Sequence, residues 1–345
     1  MHTDSSLGLG QLQGMNVTGS EGARLPLGEF LTQSHTTEFL VIQGGERVAH
    51  WSADPAASSP VAPLFSISKS VVGVIAGALI ERGDLDPNRW SATYVPEIAG
   101  GGYRGTSVRD LLDMRTGGDH HETHDAGGEL AHLVATQDGS PQAPYGSVHD
   151  MVSGIERVGR HEGPFCYRSL DTEALGWVIE RATGVAMDVL ADEMVFGPLG
   201  CVGAVFAKDV QGDVIHSGGL AMSAADVAKL GTMILNSGAI GGHQVVSPYF
   251  VKDLRQGNPG DADSETQGSY RNQFWVPQRG GRELLALGVH GQMLWMDGAS
   301  DTVLVKLSTW PEPSNPALLS ATYACARACA AARDGGANHD IAVRR

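Results

Sequence analysis

Ser66-Ile67-Ser68-Lys69, followed by Ser70-Val71-Val72-Gly73-Val74-Ile75-Ala76-Gly77-Ala78-Leu79-Ile80, is the stretch around which the chain is organised. Ser66 and Lys69 stand three residues apart, so on a helix they share a face one turn from each other. That sets a hydroxyl nucleophile beside an amine base. The residues after them are apolar nearly all round, the pattern of a helix that runs through a protein rather than over it. Pro60 and Pro63 precede the helix and Gly83 follows as a C-cap. Ser66 therefore falls in the first turn, where free backbone N–H groups and the helix dipole favour developing negative charge. Of the five lysines, Lys69 alone has a serine three residues before it. An ammonium in the first turn of an apolar helix is costly unless it is paired or loses its charge.

Outward from this helix, the 345 residues suffice for one large domain or two ordinary ones. A net charge of −15 argues against nucleic acid and anionic membrane as partners. Cys166, Cys201, Cys325 and Cys329 lack metal-site spacing. Met1-His2-Thr3-Asp4 opens without a basic region or an apolar core, so no signal peptide is expected and the location is read as cytoplasmic. No apolar run reaches membrane-spanning length.

Residues 1–36 read as an irregular lead-in. Phe39-Leu40-Val41-Ile42, Gly44-Gly45 and Arg47-Val48-Ala49-His50-Trp51 form a β-hairpin pattern. Thr106-Ser107 caps a short helix. Residues 116–146 are polar and rich in Gly and His, and read as one long functional loop. Helices are expected from Leu170 to Gly184, from Ser223 to about Asn236, from Ser247-Pro248 onward, and from about Pro316 to Arg333. Residues 257–272 read as a loop. Strand character returns in Phe274–Val276, Leu284–Val289, Met293–Met296 and Thr302–Leu307. The simplest assembly is an α/β fold of the α+β type: an antiparallel sheet built from both ends of the chain, flanked by helices, plus a mostly helical lobe, with the site in the cleft between. Residues 37–335 are read as one module, with the sheet lobe at 37–83 and 273–335, the helical lobe at 84–272, and a tail at 336–345.

A serine–lysine pair needs a further proton-transfer group and an oxyanion hole. Tyr145-Gly146-Ser147, Tyr167-Arg168-Ser169 and Tyr270-Arg271-Asn272 offer three candidates. Tyr145 and Tyr270 sit in loop-like sequence. Tyr167 leads straight into the Trp177 helix and so has a fixed base, and it is the choice. His120, Glu122 and His124 suggest zinc at first sight, but no His-Glu-x-x-His is present and the flanking glycines argue against a helix; no metal or other cofactor is expected. No Gly-x-Ser-x-Gly elbow exists, which disfavours the α/β-hydrolase fold.

Phe65-Ser66-Ile67-Ser68-Lys69-Ser70, then Phe165-Cys166-Tyr167-Arg168-Ser169 with Leu175-Gly176-Trp177-Val178-Ile179-Glu180-Arg181, then Gly288-Val289-His290-Gly291-Gln292-Met293-Leu294-Trp295 together resemble the β-lactamase-related serine hydrolases. The likeness spans roughly residues 37–333, leans toward the nylon-oligomer amidases, and extends to family VIII carboxylesterases and class C β-lactamases. It implies a β-lactamase/transpeptidase-like fold and an acyl-enzyme on Ser66. Lys69 and Tyr167 would then be the proton-transfer groups, and which of them takes the first proton stays open. The backbone N–H groups of Ser66 and Val289 would form the oxyanion hole. Asp119, His120, His124, Ser169, Ser217 and His290 are the expected substrate-binding positions. The Lys-Thr-Gly triplet of β-lactamases is absent, with Leu287-Gly288-Val289-His290 in its place, so the cation that binds a β-lactam carboxylate is missing. The expected partner is a small-molecule amide or ester, with an amine as acceptor if the enzyme transfers the acyl group instead of hydrolysing it. The remaining alternative is a binding module without chemistry. The chain is expected as a monomer or homodimer, with residues 116–146 as a mobile wall that selects a polar or cationic substrate.

Overall fold

Alternation in the strands sets the architecture. In the computed structural model, which describes residues 9–56, 61–117, 122–123, 127–156, 163–261 and 267–332, a seven-stranded sheet runs in the order Ser269–Arg271, Phe274–Val276, Glu283–Gly288, Gln292–Asp297, Thr302–Ser308, Thr36–Gln43, Glu46–Ser52. Every neighbouring pair is antiparallel. Side chains on a strand point to opposite faces in turn. Leu40, Leu294, Met296, Val303 and Val305 thus face one core, shared with the Ser66 helix Ile67–Arg82 and with helix Ala224–Leu235. Phe39, Val41, Met293, Trp295 and Leu304 face the other, covered by helices Leu27–Gln33 and Pro316–Ala331. The sheet is the middle of three layers, built from both ends of the sequence as the strand pattern predicts.

The central helix is buried on all sides from Ile67 to Leu79 and ends at Gly83 in the left-handed conformation. It runs close against the sheet edge because Gly73 carries no side chain: a Cβ there would lie 2.3 Å from the carbonyl oxygen of Asn272.

Several expectations change. Residues 1–36 are not a loose lead-in from residue 9 onward: strands Asn16–Thr18 and Arg24–Pro26 pair, and Leu12, Val17, Leu27, Phe30 and Leu31 are core residues. The span 116–146 is not one loop, because Glu129–Gln137 is a helix with Leu133, Thr136 and Gln137 buried. Ser269–Arg271, read as loop, is a sheet strand whose Tyr270 is only 1% exposed. The helical middle also holds a small sheet of Ala62–Pro63, Leu220–Met222 and Val205–Phe206. Among the described residues no helix is long and apolar enough to cross a membrane.

Candidate active site

Ser66 is the residue before the first turn of the central helix, where its N–H has no intrahelical acceptor. Lys69 lies one turn on, with 1% of its surface exposed. Its Nζ donates to Ser66 Oγ at 2.7 Å and to the carbonyl oxygen of Ser217 at 2.8 Å. Both acceptors are neutral. Burial lowers the Lys69 ammonium to about 8, while the charges of Glu122 and Glu173 pull it back up. The amine is therefore uncharged in part of the molecules near neutral pH.

Tyr167 comes from the segment that enters helix Ser169–Thr183. Its ring stacks on Trp275 at 5.3 Å and meets Tyr270 edge-on at 5.8 Å. Ser66 lies beside its hydroxyl, and Lys69 Nζ lies 5.2 Å from its ring centroid. Burial, then the charge of Glu122, pushes the phenol well above its usual range, so it keeps its proton.

The helix that follows Tyr167 also holds Lys69 in place. Glu173 is buried and its two oxygens take five hydrogen bonds: Oε1 from the Ser217 N–H at 2.9 Å, Ser217 Oγ at 2.6 Å and Gln137 Nε2 at 3.4 Å, Oε2 from the His216 N–H at 3.1 Å and His216 Nδ1 at 2.9 Å. The carbonyl of the clamped Ser217 is the one that receives Lys69. Burial alone would lower the His216 imidazolium, yet its contacts with Glu173 and with Glu180, 3.5 Å from Nε2, carry it up to about 9. The ring fits against the helix because position 176 is glycine; a Cβ there would sit 2.2 Å from it. Glu122 accepts the Ser169 N–H at 2.5 Å at the start of the same helix, beside both Lys69 and Tyr167.

The opposite wall is the turn after strand Glu283–Gly288. Gly288 passes so near the segment before Ser66 that a Cβ would lie 2.3 Å from the Leu64 carbonyl oxygen. Phe65 (φ 48°) and His290 (φ 60°) are both left-handed, a conformation that costs a non-glycine residue of order 1–3 kcal/mol and gathers at functional sites. Their rings meet at 5.5 Å. His290 Nδ1 lies 2.8 Å from the Trp310 carbonyl oxygen, which only accepts, so the ring proton is on Nδ1.

Ser66, Lys69 and Tyr167 thus meet, with Val289 and His290 on the facing wall. Ser169 and Ser217, expected to touch substrate, are 3% and 4% exposed. The Ser217 N–H, hydroxyl and carbonyl are all engaged by Glu173 and Lys69, so it braces the lysine rather than facing the cleft. Asp119, His120 and His124 lie outside the described residues. Among those described, no group of three His, Cys, Asp or Glu side chains is placed to hold a metal ion. Glu173 was not foreseen as a site residue, and Glu122 was weighed only as a zinc ligand and as part of the 116–146 wall. Glu173, a carboxylate beside Leu170, Ala174 and Leu175 on a buried helix, was the legible signal, because such a group needs partners.

The comparison with known proteins follows the same lines. The family model described as "Beta-lactamase" matches residues 32–326. The chain belongs to this family. Within the beta-lactamase family it is 33% identical over 309 residues to the 6-aminohexanoate-dimer hydrolase of Paenarthrobacter ureafaciens, covering 84% of this chain and 77% of that one. A Bacillus anthracis structure assigned as a 6-aminohexanoate-dimer hydrolase superposes with a TM-score of 0.82 at 24% identity, over 94% of this chain and 86% of its own. A family VIII carboxylesterase superposes at 0.64 and 15% identity, over 86% and 95% of the two chains. These last two likenesses establish the fold: a beta-lactamase-type assembly of a large antiparallel sheet and helices. The chain is a beta-lactamase-family hydrolase.

Proposed function

We propose that the protein cleaves a small amide or ester through an acyl-enzyme on Ser66. The observation that carries this is Lys69: a buried amine 2.7 Å from Ser66 Oγ, with only neutral oxygens accepting its hydrogen bonds and its ammonium lowered to about 8. The neutral amine takes the Ser66 proton as Oγ attacks the carbonyl carbon. The oxyanion is assigned to the N–H groups of Ser66 and Val289, an assignment supported by the close approach of Gly288 to Leu64. Tyr167 stays protonated, so it is the donor of the pair: it gives its proton to the departing amine or alkoxide and is restored by the proton held on Lys69. Water then repeats the sequence on the acyl ester with the same groups. The amide or ester specificity is supported by the name of the 33%-identical relative, which hydrolyses a 6-aminohexanoate dimer.

Intact-mass analysis after treatment with a fluorophosphonate tests the reading. One adduct is expected on the wild type and none on Ser66→Ala; equal labelling of both would overturn it. Millimolar amine acceptors in an ester assay, with products weighed, separate hydrolysis from acyl transfer.

A further inference from the structure

A cavity of about 530 Å³ opens beside the His290 turn. That volume lies within the range of small-molecule sites. Phe65 and His290 border it, each next in sequence to a backbone N–H assigned above to the oxyanion, and Trp310, Pro63, Ala53 and Thr37 continue its wall. The wall is largely apolar and aromatic.

Its charges are of one sign. Glu38 and Asp54 line it, and among the described residues no lysine or arginine does. Glu38 is held by Ser52 Oγ at 2.5 Å and His50 Nε2 at 2.9 Å. The amine behind the wall is Lys306, which donates to the lining residue Ser308 at 2.5 Å and which burial lowers to about 7. An anionic group would meet two carboxylates there without a facing cation.

The cavity's side of the nucleophile is also defined. A leaving group must reach the Tyr167 hydroxyl, and Tyr167 packs against Trp275 and Tyr270. Among the described residues neither Tyr167 nor Lys69 lines the cavity, and Ser66 and Val289 adjoin it through their neighbours Phe65 and His290. At a tetrahedral carbon whose oxygen points at the hole and whose leaving group points at Tyr167, the remaining substituent is the acyl chain. We propose that this cavity is the acyl-arm site and takes an alkyl or aryl chain that carries no terminal anion, an inference that rests on the Ser66 acyl-enzyme reading.

The test is a series of nitrophenyl esters on the full chain: acetate, hexanoate, and the adipate monoester with its terminal carboxylate. kcat/KM should rise at least tenfold from acetate to hexanoate, and fall at least tenfold from hexanoate to the adipate monoester. Ala53→Phe and, separately, Thr37→Phe should fill the cavity and bring hexanoate down to the acetate level. Acetate turnover, fluorophosphonate labelling of Ser66 and Tm should stay within twofold or a few degrees of wild type. Loss of both esters together in labelled, folded variants, or loss of neither, would overturn the acyl-arm site while leaving the Ser66 mechanism standing. A length dependence found only when the alcohol side of an acetate ester is lengthened would overturn it as well. No labelling of the wild type removes the Ser66 reading and this one with it.

Discussion

Lys69 sets the pH dependence. In the proposed mechanism its neutral form is the base, so kcat/KM should rise with pH through about 8 and level above it. Glu122 holds the ammonium up, so Glu122→Gln should move that limb to lower pH; a limb that stays put or moves upward would remove Glu122 from the lysine's surroundings. Tyr167→Phe separates proton donation from packing. With an amide, whose amine leaves only when protonated, kcat should fall about 10²–10⁴-fold. With a nitrophenyl ester, whose leaving group needs no proton, acylation should fall far less, and burst kinetics measure that step directly. Ser66, Lys69 and Tyr167 were legible because each residue type is tied to its spacing or to a helix start. Glu122 and the partners of Glu173 were not, because the two act across 47 and 44 residues, on Ser169 and Ser217, and no local pattern records such a contact.

Helix Ser169–Thr183 couples the two halves of the site: Tyr167 enters at its start and Glu173 braces Ser217 from its second turn. Glu173→Ala would leave the Ser217 and His216 N–H groups buried without their acceptor, a loss of order 1–3 kcal/mol for each unsatisfied group. Turnover should fall with it as Ser217 ceases to hold Lys69, and Tm and kcat on one activated ester read both effects. Gly176→Ala should cost about 1–3 kcal/mol by driving a methyl into the His216 ring, with His216 displaced. The same imidazole gives a pH signature. Its folded value of about 9 exceeds its ordinary 6.5, so its contribution is full below about 6.5 and is lost as pH rises through 9. A shift of that size is of order 3 kcal/mol. The Tm difference between wild type and His216→Asn should be widest at pH 6 and close toward pH 9; a gap constant with pH would mean the ring is neutral in the folded protein. Helix ends were readable where one residue closes them. Ser107, Ser223 and Ser247 accept from the first turn through their side chains, and Gly83 and Gly184 take the left-handed exit. Glu129–Gln137 was missed because its single apolar stripe is short and lies in Gly-rich sequence. Leu27–Gln33 was missed because seven residues carry too little period.

At the scale of the molecule, the three layers were legible because period-two strands occur at both ends of the sequence and an all-round apolar helix must lie inside. The order of the strands was not, since no single strand states its neighbour. That order joins Thr36–Gln43 to Thr302–Ser308, with Phe39 opposite Lys306 and Leu40 opposite Val305. During synthesis the Ser66 helix therefore leaves the ribosome long before the strands that complete its floor. Closing so long a loop carries an entropic cost that only the finished sheet offsets. Chains stalled on the ribosome at residue 300 should take no fluorophosphonate and be open to protease throughout the first hundred residues. Chains extended past residue 332 and clear of the exit tunnel should gain labelling and resistance together. Ser66 would in this way be the last part of an early segment to mature, and an unfinished chain would present no competent nucleophile.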